Sequence, residues 1–178
     1  MGSEEMHMNP LITLVAAALL LGAQHPQMPA AMSHEAHLKQ MQKAEALNKR
    51  GADAMGFDQD ATTHHFTLTP TGGSIEITVK NRADDENLTA LRAHLRAIAD
   101  EFARGRFDKP FQTHGEIPPG VDVMQANVGA ITFRYRDISE GGAVRIETSD
   151  AGLVQAVHAF LRYQITEHRT GDSLDGKR

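Results

Sequence analysis

Two stretches of this chain run through the same order of residues, and that repetition limits the folds open to it. In the first, residues 62–69 alternate, with His64, Phe66 and Leu68 on one side and His65, Thr67 and Thr69 on the other. Successive side chains of a strand point to opposite faces, so the alternation predicts a half-buried strand. Pro70-Thr71-Gly72-Gly73 supplies a hairpin turn, and residues 74–80 alternate again with Ile75, Ile77 and Val79 on the apolar side. Leu88, Leu91, Leu95, Ile98 and Phe102 then recur at helical spacing, and Gly105 provides a stop.

The second stretch repeats this. Ile131, Phe133 and Tyr135 alternate with Thr132, Arg134 and Arg136, and Ser139-Glu140-Gly141-Gly142 forms the turn. Val144 and Ile146 alternate with Arg145 and Glu147, and Asp150 caps a helix that carries Val154, Val157, Leu161 and Ile165. Both helices contain Ala-x-Leu-Arg, at 93–96 and at 159–162. The expected fold is α+β: a duplicated ββα unit (ββαββα), with a four-stranded antiparallel sheet and two helices on one face. Its expected core is Phe66, Leu68, Ile75, Ile77, Val79, Leu91, Leu95, Ile98, Phe133, Val144, Ile146, Val157, Leu161 and Ile165. The other sheet face is polar and of mixed sign. It carries His65, Glu76, Lys80, Arg134, Arg136, Arg145 and Glu147 among threonines, either as a solvated face with cross-strand ion pairs or as a surface for a partner.

Upstream of this unit, residues 11–23 (LITLVAAALLLGA) are apolar without interruption. A run of 13 residues is too short to span a bilayer, which takes about 20, but has the length of a signal-peptide core. Residues 1–23 are therefore expected to be a signal peptide, although Glu4 and Glu5 stand where a basic segment is usual. Export, to the periplasm of a Gram-negative source, and no lasting membrane anchor after cleavage follow from that reading. Residues 24–50 are expected to be a tether followed by a surface helix running from Ser33 to a stop at Gly51. The folded domain is expected over 51–172, and a disordered tail over 173–178.

Composition narrows the chemistry. The chain has no cysteine, which excludes disulfides, thiolate metal sites, cysteine nucleophiles and attached c-type haem. A net charge of −5 argues against nucleic-acid coating. No glycine-rich nucleotide loop, G-x-S-x-G elbow or H-E-x-x-H pair is present, so no nucleotide cofactor is expected. Ten histidines stand out.

Residues 55–59 (MGFDQ), 62–66 (TTHHF), 118–121 (PPGV), 158–165 (HAFLRYQI) and 168–172 (HRTGD) together resemble a family of small exported bacterial proteins that has no established function. The resemblance covers about 50–173 and implies export and a small domain. Some members carry the name aspartate carbamoyltransferase, but this chain lacks the Ser-x-Arg-Thr phosphate loop of such enzymes and is too small for their two α/β domains. The resemblance transfers no catalytic residue.

The histidines supply the candidate site. His64 and His65 are neighbours on a strand and can share an ion only where the pleat breaks, at a strand start or bulge. His114 and Glu116 lie in a long loop, 105–120, that is free to bend toward them. Imidazole suits copper, zinc or nickel, so the expected metal site is His64, His65, His114 and Glu116, with copper favoured over zinc. His158 and His168 flank the core-facing stripe of the last helix about 15 Å apart and cannot share an ion. His158 is expected to bond a loop, and His168 to cap the helix end. His34, His37, Met28, Met32 and Met41 also suit copper, but read equally as tail composition. The leading reading is a small exported binding protein for a transition metal. The alternatives are a metal-free protein-interaction module that uses the polar sheet face, and an enzyme with a histidine base.

Overall fold

The computed structural model describes residues 33–176. The apolar run at 11–23 and nearly all of the tether lie outside the described residues. The first helix, α1, is His34–Met55. It runs past Gly51, the expected stop, because Gly51 keeps a helical backbone and the left-handed turn falls to Gly56 at φ 74°. A glycine inside a helix costs about 1 kcal/mol. Burial of Met55 and Phe57 in the core just beyond it offsets that cost.

Strands β1 (Thr62–Thr69) and β2 (Gly72–Val79) form a hairpin closed by Pro70-Thr71. Helix α2 (Asp85–Phe102) follows, then short helices α3 (Asp108–His114) and α4 (Val121–Ala126) and one 3₁₀ turn at Val128–Ala130. Strands β3 (Thr132–Ile138) and β4 (Gly141–Glu147) make a second hairpin closed by Ser139-Glu140, and α5 (Ala151–His168) ends the domain. The sheet is antiparallel throughout, in the order β1-β2-β4-β3. The fold is α+β, as expected. All fourteen residues expected in the core are buried.

Several features recur in the two strand–strand–helix stretches. Both α2 and α5 have 18 residues and are capped by an aspartate, Asp84 and Asp150, whose carboxylate accepts amide hydrogens of the first turn. Counted from those caps, Leu91 matches Val157, Arg92 matches His158 and Leu95 matches Leu161. In the central strand pair, Ile75 faces Val144, which is its own counterpart when the strands are counted from their hairpins. Helix α2 packs on β2, β3 and β4, and α5 packs on β1 and β2.

The matched leucines rest on matched glycines. A Cβ at Gly73 would stand 2.3 Å from Leu161 Cδ1, and one at Gly142 would stand 3.0 Å from Leu95 Cδ1. The matched polar residues then grip the hairpins. Arg92 donates to the carbonyls of Gly141 and Ile138, and His158 Nε2 donates to those of Thr69 and Gly72. His158 thus bonds a loop, as its place beside the core stripe predicts.

Two segments differ from the expected arrangement. The stretch 105–120 is not an open loop: it contains α3, which packs against α1 and buries Pro110, Thr113 and His114. Phe107, just before α3, anchors it by stacking on Phe102 at 4.3 Å. In the expected tail, Arg162 Nε donates to Leu174 O at 2.8 Å, which holds residues up to 176 along α5. On the polar sheet face Arg136 meets Glu76, and both Arg134 and Arg145 meet Glu147. These are solvated pairs of the kind worth little individually.

Leu95→Ala and Leu161→Ala should each cost about 2–5 kcal/mol in denaturant unfolding, because each removes a buried side chain that the facing glycine cannot refill. Gly73→Ala should also destabilise, since the added methyl would meet the Thr67 carbonyl as well as Leu161. Near-zero change at both leucines would contradict this packing.

Candidate functional site

Strand β1 runs in unbroken register with β2, so His64 and His65 point to opposite faces of the sheet. His64 faces inward with Phe66. His65 faces outward, where its Nδ1 lies 2.9 Å from Asp172 Oδ1. Asp172 also accepts the Phe66 amide and the Thr170 hydroxyl. Burial pushes the Asp172 carboxyl up, but the hydrogen bonds from Thr170, Phe66 and His65 outweigh it and hold it below its ordinary value. The carboxylate thus occupies an amide of edge strand β1 and ties the end of the chain to it.

Glu116 is also apart from the inward histidines. It is exposed, and its Oε1 accepts the Tyr163 hydroxyl at 2.6 Å. Of the four expected site residues, the fold therefore brings His64 and His114 into one cluster and leaves His65 and Glu116 outside it.

The residue that joins His64 to His114 is His168. Its ring centre lies 5.6 Å from that of His64, with the planes 4° apart, and 5.1 Å from that of His114. His168 does not cap α5, as had been expected of it. Arg169 takes the left-handed cap at φ 51°, and its amide bonds the Ile165 carbonyl. Because β1 and α3 cover the end of α5, the core stripe continues through its last residue. A fourth ring, His94 of α2, stands edge-on to Phe57, which in turn stacks on His64.

These rings line a cavity of about 60 Å³ together with Met55, Phe66, Phe102, Lys109, Phe160 and Gln164. One water needs roughly 10–15 Å³, so there is space for an ion or a few waters. A polar cleft of about 410 Å³ shares His64 and His168 with it, so the two rings border both the cavity and the cleft. That cleft is also lined by Asp60, Thr62, Lys80, Glu167 and Arg169.

All the polar atoms of such a cavity need partners. Gln164 Oε1 lies 2.9 Å from His114 Nε2 and accepts its proton, which leaves the imidazole lone pair on Nδ1. His64 Nε2 and Gln164 Nε2 are buried without hydrogen-bond partners among the described residues. Burial is also the main cause that lowers the histidine pKa values. His64 falls to about 4, with help from His65 and Lys80; His94 falls to about 4, with help from Lys109 and His64. His168 falls to about 3, with help from His64 and His114. These three rings are neutral at neutral pH, the form that binds metals.

The other end of the sheet shows what these positions hold when they only pack. Counted from the hairpins, His64 matches Phe133. Counted from the helix caps, His168 matches Phe102 and His94 matches Phe160. Phe102 and Phe133 are 5.7 Å apart at their ring centres, nearly the spacing of His168 and His64, and Phe102 and Phe160 are 6.0 Å apart. Each of the three matched pairs of sites therefore holds phenylalanine at one member and histidine at the other. His94 and His168 escaped the single-residue reading. Aligning the two Ala-x-Leu-Arg segments would have paired both with phenylalanines.

Among the described residues, no three His, Asp or Glu side chains already stand as a metal-binding group. The chain matches no protein-family model, no curated protein and no solved structure.

Free imidazole takes a proton near 6.5, whereas His64, His94 and His168 take one only at about 4, 4 and 3 in the fold. Between those values the unfolded chain binds more protons, so folding stability should fall as pH drops from about 6.5 through 4. Equilibrium unfolding of chelator-treated protein at stepped pH measures this. His168→Phe should flatten the fall, because it removes one of the protons taken up. A pH-independent stability in that window would contradict neutral, buried rings.

Proposed function

We propose that this protein binds a transition-metal ion in the cavity formed by His64, His114 and His168, with His94 alongside. The observation that carries the reading is the exchange of packing phenylalanines for neutral histidines at matched sites. A buried imidazole with an unpartnered nitrogen costs stability that phenylalanine would not. A ligand for that nitrogen gives the cost a purpose. The chemistry agrees: an ion bonded by two imidazoles at about 2.0–2.1 Å sets their ring centres roughly 5–6 Å apart, the spacing of these rings. Gln164 fixes the tautomer and orientation of His114, as outer hydrogen-bond partners do for metal-ligating histidines. Binding would complete the donor set by turning the rings about their side-chain torsions. Copper and zinc both suit imidazole donors.

In the same reading the two ββα halves are a duplication, with α2 and α5 laid on one sheet face. The support is the matched aspartate caps, the Ile75–Val144 pairing and the reciprocal leucine–glycine contacts. At each of the three matched pairs of sites one member kept a packing phenylalanine and the other became a histidine of the binding site. Residues 1–23 remain an export signal in this reading, which would place the site outside the cytoplasm. Among the described residues no helix is long and apolar enough to cross a membrane.

The test is calorimetric titration of the chelator-treated full chain with Cu(I), Cu(II), Zn(II) and Ni(II). One ion should bind per chain. His64→Phe and His168→Phe should fold, since phenylalanine serves at the matched sites, and should lose binding by about 10–100-fold or more. His65→Ala and Glu116→Ala should bind as the parent does. Absence of binding, or binding indifferent to His64 and His168, would refute the proposal.

A further inference from the structure

We propose that the histidine cavity selects a monovalent ion, Cu(I), and that Met55 supplies a thioether donor to it. The inference rests on the metal-binding reading above and adds which ion the site takes.

The donors lining the cavity are imidazoles, the Gln164 amide and the Met55 thioether. Neither an aspartate nor a glutamate lines it, and the charged residue at its wall is a cation, Lys109. The cost of moving an ion out of water grows as the square of its charge, so a dication meets roughly four times the penalty of a monocation of the same size. Many sites that hold buried dications offset this with thiolates or carboxylates. Here no anionic side chain does so, and the walls are Phe66, Phe102, Phe160, Ile75 and Ile77. A monocation faces the smaller penalty.

Donor softness points the same way. Thioether sulfur prefers Cu(I), and imidazole accepts it. Met55 is buried where α1 ends, and its side chain lines the cavity with His64. Cu(I) is also satisfied by as few as two or three donors. That fits a cavity of about 60 Å³ in which two ring pairs, and no larger preformed group among the described residues, stand near bonding separation. The outer cleft supplies the approach, since it reaches His64 and His168 directly. Its lining pairs two carboxylates, Asp60 and Glu167, with two cations, Lys80 and Arg169, and none of the four enters the inner donor set.

The test is anaerobic competition of the chelator-treated full chain against a chromophoric Cu(I) chelator, with Ag(I) as a redox-inert probe of the same charge and Zn(II) and Cu(II) as dications. Cu(I) and Ag(I) should bind one per chain, at least about 100-fold tighter than Zn(II). Met55→Leu conserves volume and should melt as the parent does, yet bind Cu(I) about tenfold more weakly with Zn(II) affinity unchanged. X-ray absorption of the Cu(I)-loaded parent should show one sulfur neighbour among nitrogens, a readout independent of the variant's folding. Tighter binding of Zn(II) or Cu(II), lost in His168→Phe, would overturn this inference and leave the metal-binding function standing. Absence of sulfur together with an unchanged Met55→Leu would remove Met55 from the site. Failure of every ion to bind would overturn both.

Discussion

The placement of both sheet-packed helices depends on the close approach of two leucines to two glycines. Leu161 reaches the sheet at Gly73 and Leu95 reaches it at Gly142, and neither contact would survive a methyl group on the glycine without a shift. Each helix is then latched to the hairpin of the other half, by His158 in one case and Arg92 in the other, through carbonyls flanking the two-residue turns. Hydrogen bonds to turn carbonyls are specific in direction, so they fix where each helix lies as well as how close it comes. The large rings at either end of the sheet sit in the space this arrangement leaves.

What fills that space differs at the two ends. Phe102, Phe107, Phe133 and Phe160 pack at one end with ring centres 4.3 to 6.2 Å apart, an ordinary aromatic core. His64, His114 and His168 hold similar separations at the other end, with His94 reached through Phe57. Helix α3 connects the two: Phe107 before it joins the phenylalanines, and His114 at its last residue joins the histidines. Apolar rings need nothing further. Imidazoles in the same kind of site carry lone pairs and N–H groups that burial strips of water, which both lowers their proton affinity and leaves them available to a ligand. If these imidazoles bind a metal as proposed, stability and function pull in opposite directions at matched positions of one fold.

Much of this was legible in the residue order. Alternation and helical spacing located four strands and the helices α2 and α5, and every residue assigned to the core from pattern alone is buried. The strict alternation that placed His64 inward also placed His65 outward, and the observed strand has no bulge to change that. What pattern could not supply was the fate of residues whose local signals compete. Gly51 has the composition of a helix stop, yet packing of Met55 and Phe57 carries the helix beyond it. His168 stands at a helix end where a charged imidazole would be stabilised, yet neighbouring elements bury it and keep it neutral. Residues 105–120 contain proline and glycine and read as a loop, yet Phe107 finds Phe102 and a helix forms between the two ring clusters.

The sequence by itself determined the α+β class, the hairpins, the core faces and the inward direction of His64, because these follow from periodicities that each segment carries alone. Only the tertiary structure decided that His64, His94, His114 and His168 belong to one cavity, and that Glu116 and His65 do not. Those residues come from β1, α2, α3 and α5, and their proximity depends on how the helices are latched across the two halves. A contact between residues up to 104 positions apart leaves no periodic trace in the chain. Its physical cause is the sum of packing against partners that local spacing does not name.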